Sequence, residues 1–118
     1  MAQVTGTCYI RVNGKLLRSK EGAKLNDLGG KTREAVVGHS VYGFTEKVVA
    51  PSVEATLADT ADLKLKDLHD TTDATITFET DTGKQYVLSH AWCENAISLT
   101  AGGDVEVKFS AMKCEEMA

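Results

Sequence analysis

The chain has 118 residues, of which 6% are aromatic, and a formal net charge of −4. This length suits one domain with a modest core, and so few rings argue against a large aromatic-lined ligand cavity. An acidic chain is poorly equipped to grip DNA, which takes many lysines and arginines on phosphates, and no apolar run approaches membrane-spanning length.

The opening segment, MAQVTGTCYIRV, has no basic region followed by an apolar stretch and a cleavage site. It predicts a protein without a signal peptide, made and kept in the cytosol. Thr5 to Val12 alternates, with Cys8, Ile10 and Val12 on one face and Tyr9 and Arg11 on the other. Asn13-Gly14 follows, a pair that tolerates positive φ and is a strong short hairpin signal. Lys15 to Arg18 is the expected partner strand. From Ser19 to Ser40 the pattern is lost: the segment has Gly22, Gly29, Gly30 and Gly38, mixed charge and no sustained period. It is too long for an ordinary connector, and Leu25, Leu28, Val36 and Val37 give it apolar anchors that a free linker does not need. The expectation is an arm that packs on a neighbouring subunit; an ordered loop over its own domain is the alternative.

Val41 to Asp59 is the stretch around which the rest is organised. It reads as two extended segments joined at Ala50-Pro51 into a long β-hairpin. In the second segment Val53, Ala55 and Leu57 point to one side, and Ser52, Glu54 and Thr56 to the other, giving a dry and a wet face. In the first, Tyr42, Phe44 and Val48 share a parity with Glu46, and Thr45 and Lys47 oppose them; Gly43 marks a bulge or a close backbone approach. Next, Asp59 or Thr60 can cap a short helix over Ala61–Leu68, with Asp62 in its first turn. A strand is the rival, since Leu63 and Leu65 alternate with Lys64 and Lys66. Ala74, Ile76 and Phe78 alternate with Thr75, Thr77 and Glu79 in a half-buried strand. Asp81-Thr82-Gly83 makes a turn, and Lys84 to Trp92 returns as a strand apolar on both sides, which suits a central position. Ile97 to Leu99 continues the sheet, Ala101 to Asp104 turns, and Val105, Val107 and Phe109 face inward from the last strand. The tail, MKCEEMA, is expected to fray or touch a neighbour. The predicted class is mainly β: an antiparallel β-sandwich or partly open β-barrel with one short α-helix, in a single domain over residues 1–118.

Chemistry-bearing residues are scattered. Cys8, Cys93 and Cys114 lack any CxxC spacing and read as buried free thiols rather than a disulfide framework or zinc ribbon. His39, His69 and His90 have no zinc-ligand spacing. His90 and Cys93, three apart on one strand, point to opposite faces, which spoils a thiolate–imidazole pair. Gly29-Gly30-Lys31-Thr32 is similar to the end of a phosphate-binding loop but lacks its first glycine and a convincing following helix. No catalytic residue, metal site or cofactor is predicted. Charge is unevenly placed: residues 1–47 hold eight Lys/Arg and four Asp/Glu, and residues 48–118 hold five and thirteen. A chain polarised in this way can dock head to tail on its own copies.

Four ordered pieces carry a family resemblance: VNGK in the opening hairpin, VYGFTEKVVAPSVEATLADTADL, DATITFETDTGKQYVLSHAW, and the GGDVEVKFSA ending. Together they resemble the tail tube proteins of contractile-tailed phages, Mu-like phages most closely, over nearly the whole chain. The resemblance implies a structural subunit of the virion tail, with the fold shared by the tube protein of type VI secretion. It implies hexameric rings, assembled in the host cytoplasm, that stack into a hollow tube conducting viral DNA into the host during ejection. The implied partners are further copies of the chain, the tail sheath, baseplate and tail terminator proteins, and DNA that passes without specific binding. Ser52, Glu54 and Thr56 would then line the lumen, with Thr45 and Lys47 (or Glu46, if Gly43 shifts the register) beside them, and Leu25, Leu28, Val36 and Val37 would lie in the intersubunit loop. The competing readings are a small soluble β-domain that binds a partner through the long loop, a secretion-system tube subunit, and an enzyme using His90 or Cys93.

Overall fold

The first turn forms where the sequence demands positive φ. Asn13 and Gly14 adopt φ of 51° and 85°, so Cys8–Val12 (β1) doubles back onto Lys15–Leu17 (β2) through a two-residue loop. The Asn13 side chain also accepts a hydrogen bond from the Thr75 amide at 3.0 Å, which ties the turn to a neighbouring strand. The structure is a computed structural model and describes residues 3, 6–20, 22–61, 64–95 and 97–117.

The remaining elements in chain order are Lys24–Asn26 (β3), Lys31–Val37 (β4), Val41–Val48 (β5), Ser52–Ala58 (β6), the helix Leu65–His69 (α1), Ala74–Thr80 (β7), Gln85–Cys93 (β8), Ser98–Thr100 (β9), Asp104–Ser110 (β10) and Lys113–Met117 (β11). Pairing is antiparallel throughout. One layer runs β2-β1-β7-β8, with β11 on the far side of β8; the other runs β3-β6-β10, with β9 on β10. The layers face each other across one core. Ile10, Leu17, Ile76, Phe78 and Leu88 enter it from the first, and Val53, Leu57, Val105, Val107 and Phe109 from the second. Side chains of this size each contribute about 1.5–3 kcal/mol when fully buried.

Strand β8 joins the layers without closing them. Its first part pairs with β11, from Gln85↔Met117 to Ser89↔Lys113, whereas Trp92 and Cys93 pair with β10. The changeover falls at His90, whose φ of 54° departs from strand geometry. Opposite it the chain bends between β10 and β11, where the Ala111 amide donates to the Pro51 carbonyl and the Met112 amide to that of Ser89. Bulges and bends of this kind let one strand serve two sheets. The result is the expected antiparallel, mainly β architecture with one short helix.

Four expectations need correction. First, β5 and β6 do not pair with each other. They follow one another along one side of a long ribbon, whose other side is the segment expected to be a loop. Lys24↔Glu54 to Asn26↔Ser52 and Lys31↔Val48 to Val37↔Val41 run in nearly the same register, with residues 27–30 opposite 49–51. Asp27 and Gly30 take φ of 56° and 70° at that bulge, and Val49 donates to the Gly30 carbonyl at 2.9 Å. A hairpin turn at Ala50-Pro51 would lack a residue suited to positive φ; the Gly38-His39-Ser40 tip and the glycine-bearing bulge supply what the ribbon needs.

Second, the tail is not frayed but forms β11, with five residues paired along β8. Third, the helix starts at Leu65 after Lys64, with no side-chain cap, so neither Asp59 nor Thr60 caps it and Ala61 lies outside it. Asp62 and Leu63 fall outside the described residues. Leu68 is buried against the core and fixes the helix there. Fourth, the three cysteines are free but only half-buried.

Candidate functional site

The far half of the ribbon leaves the body of the protein. Every residue of β4 and β5 is exposed, and the two strands form a sheet of their own. The molecule is accordingly drawn out to 60 × 39 × 26 Å, with a radius of gyration of 16.7 Å, where a compact domain of this length has about 13.5 Å. On one face of the arm, Ala35 lies opposite Phe44, Arg33 opposite Glu46 and Lys31 opposite Val48. Glu46 holds both cations, Lys31 at 3.4 Å and Arg33 at 3.3 Å, and the Arg33 guanidinium lies 5.5 Å from the Phe44 ring centre. The other face pairs Thr32 with Lys47 and Glu34 with Thr45. Thr45 and Lys47 thus share one face of the arm, on the opposite side from Phe44 and Glu46, and both faces are exposed. Val37, Val41, Tyr42, Phe44 and Val48 are each at least 60% exposed, a run of apolar surface unusual for an isolated domain.

The body presents a second polar surface, the outer side of β3-β6-β10. Strand registers place Lys24, Glu54 and Lys108 in one row, and Thr56 beside Glu106 in another. The Lys108 ammonium lies 3.8 Å from Glu54 and 3.3 Å from Glu94. Lys20 reaches over to pair with Asp104. The Glu94 carboxylate accepts a 2.7 Å hydrogen bond from the Ser110 hydroxyl, which, with help from Lys108, holds its pKa below the usual value. Val53, Ala55 and Leu57 face the core on the reverse side.

Among the residues expected to line a lumen, Glu54 and Thr56 share this surface. Ser52 departs from the expectation. It is 5% exposed, covered at the bulge, where its hydroxyl accepts from the Asn26 side-chain nitrogen Nδ2 at 3.3 Å. Thr45 and Lys47 lie on the arm, apart from the other three. Of the intersubunit set, Val36 and Val37 are near the arm tip and exposed, Leu28 is exposed in the bulge, and Leu25 packs partly onto the core. Sequence reasoning missed Lys24, Lys108, Glu106 and Glu94 as members of the polar surface. The alternation of β10 already shows Glu106 and Lys108 pointing away from the core; what was lacking was the knowledge that β10 lies next to β6.

The residues considered for catalysis answer to different partners. His90 Nδ1 lies 2.7 Å from Asp73 Oδ1, and the Cys93 thiol donates to the Asn95 carbonyl at 3.4 Å. Burial pushes all three thiols above their ordinary pKa, the reverse of what an activated nucleophile requires.

A body with one polar sheet face, carrying an exposed apolar arm, is a shape built for assembly, and comparison with known proteins gives that shape a family. The family profile described as phage tail tube protein matches residues 1–116. The chain belongs to the phage tail tube protein family. It is 38% identical to the Mu-like prophage FluMu tail tube protein of Haemophilus influenzae over 115 residues, covering 98% of this chain and 97% of that one. It is 34% identical to the tail tube protein of Escherichia phage Mu over 116 residues, with the same coverage. The fold is similar to that of Hcp1 from Flavobacterium johnsoniae, with a TM-score of 0.59 at 11% identity over 92% of this chain and 93% of that one. Phage tail tube proteins are structural components of the virion tail, a class without enzymatic function, and they assemble with copies of themselves and with other tail components.

Proposed function

We propose that six copies of this chain, each a single domain, close into a ring, and that the rings stack into a hollow tube through which viral DNA passes into the host. Assembly takes place in the host cytoplasm, with the sheath around the tube, a baseplate at one end and a terminator at the other. The observation that carries this reading is the arm. A two-stranded ribbon exposed on both faces is marginal on its own, and burying its valines, Tyr42 and Phe44 on another copy stabilises arm and assembly together.

The polar face of β3-β6-β10 suits the bore. Lys20 and Lys108 are paired with carboxylates and Lys24 stands in register with Glu54, so acidic groups balance the lysines of this surface, and a duct that must pass DNA should not hold it. Thr45 and Lys47 on one face of the arm, and Glu54 and Thr56 on the body, are the side chains assigned to the lumen. Ser52, buried at the bulge, is left out of that set. Leu25, Leu28, Val36 and Val37 belong to contacts between subunits.

Negative-stain microscopy and sedimentation of the purified protein test this reading. Rings and tubes of uniform width are expected, with the assembled fraction rising with concentration. A species that sediments as a monomer at every concentration contradicts it.

A further inference from the structure

We propose that Tyr42 folds back as a lock on the arm tip, so that the free protomer already carries the tip in its docking shape. The inference rests on the ring reading above, in which a second copy covers the arm, and adds how the tip is made ready for that copy.

Two glycines near the tip answer two different needs. Gly43 sits at φ of 145°, a backbone conformation open mainly to glycine. It lies opposite Val36, while Val41 lies opposite Val37. Tyr42 is thus the extra residue of a β-bulge, an irregularity that re-aims a side chain. Gly38 answers a need for space. A methyl group on it would come within 2.5 Å of Tyr42 Cε2, 2.6 Å of the phenol oxygen and 2.8 Å of Cζ, well inside the separation at which non-bonded atoms attract. The ring therefore occupies the place where any other residue at this position would put its Cβ.

Hydrogen bonds hold this arrangement. The phenol oxygen accepts from the His39 amide at 3.3 Å, and the Gly38 amide donates to the Ser40 carbonyl at 3.0 Å. Two amides of the turn are thus satisfied within the tip. Further down the arm, Glu46 with Lys31 and Arg33, and Arg33 with Phe44, tie the two strands together. Tyr42 remains 65% exposed, so one side of it is left for a partner. A surface ordered before contact spares the ordering cost of binding.

The lock is read in the free protomer, and its use is read in assembly. Nuclear Overhauser contacts between the Tyr42 ring and the Gly38 α-protons are expected in the unassembled protein. In Gly38→Ala the ring, the far end of a flexible side chain, should swing into water. Tm should stay at the wild-type value and the contacts should vanish. The concentration for half-assembly should rise about tenfold, the worth of a side chain ordered only on docking. Tyr42→Ala should raise it at least as much. Combining Gly38→Ala with Tyr42→Ala should be no worse than Tyr42→Ala alone, because the clash needs both residues. A free protomer without the contacts overturns the lock and leaves the ring standing. So do Gly38→Ala tubes that form at the wild-type concentration, and effects that add in the double variant. A wild-type protein that shows the contacts and forms no rings removes the ring reading and, with it, the docking use of the lock.

Discussion

Glu54 stands between Lys24 and Lys108 in a cross-strand row, so reversing its charge sets three ammonium groups side by side. Like charges directly opposite on a sheet cost about 0.2–1 kcal/mol, which the fold should survive. Glu54→Lys is therefore expected to lower Tm slightly, permit assembly and slow DNA passage by drawing phosphate to the wall. Particles that form normally and eject at the wild-type rate would remove Glu54 from the bore. At the opening turn, Gly14 holds φ of 85°, a conformation that β-branched residues avoid. Gly14→Val should destabilise the protein by about 1 kcal/mol or more, and an unchanged urea midpoint would show that the turn tolerates the strain. Glu94 gives a pH signature. Its folded pKa is held below the ordinary 4.5, first by the Ser110 hydrogen bond. The unfolded chain thus binds the proton more readily, and this contribution to stability is present above the unfolded pKa and lost as pH falls through the folded value. Ser110→Ala should shrink the stability difference between pH 7 and acid. An undiminished difference would mean that Lys108 suffices without the hydroxyl.

Among the elements, the legible ones are those half-buried in the core. Ala74–Thr80, Ser52–Ala58 and Asp104–Ser110 alternate because one side of each meets the core and the other meets water. The arm strand Lys31–Val37 is exposed throughout; with no dry side in the protomer it has no period to read, and glycines at both ends give it the look of a loop. Val41–Val48 is irregular for the same reason. Lys113–Met117 was illegible because a short, charged edge strand reads like a tail. The polar surface was half legible: the outward residues of each strand could be read, but their neighbours depend on pairings between residues 26 to 58 apart, from Asn26↔Ser52 to Ser110↔Ser52, which local pattern does not encode. Because the arm touches little of its own body, altering it should spare the protomer. Phe44→Asp is expected to leave Tm nearly unchanged, within about 0.5 kcal/mol in stability, while abolishing tubes. A large loss of protomer stability, or normal tubes, would contradict the role given to the arm.

At the level of the whole molecule, the protein divides into a body built around one core and a projecting ribbon exposed on both faces, which in the proposed ring is covered by another copy. Stability then couples to assembly by mass action, and the assembled form should melt well above the free protomer. Core and arm should separate experimentally. Phe109 is fully buried, and Phe109→Ala should cost about 3–5 kcal/mol in the protomer, whereas the arm substitution acts only on assembly. The most direct test is a cryo-EM reconstruction of tubes grown from the purified protein. The outer face of β3-β6-β10 is expected to line the bore, with Glu54 and Thr56 projecting into it and the β4–β5 arm packed against a neighbouring subunit. A tube whose bore is lined instead by β2-β1-β7, with Glu54 and Thr56 on its outer surface, would contradict the account.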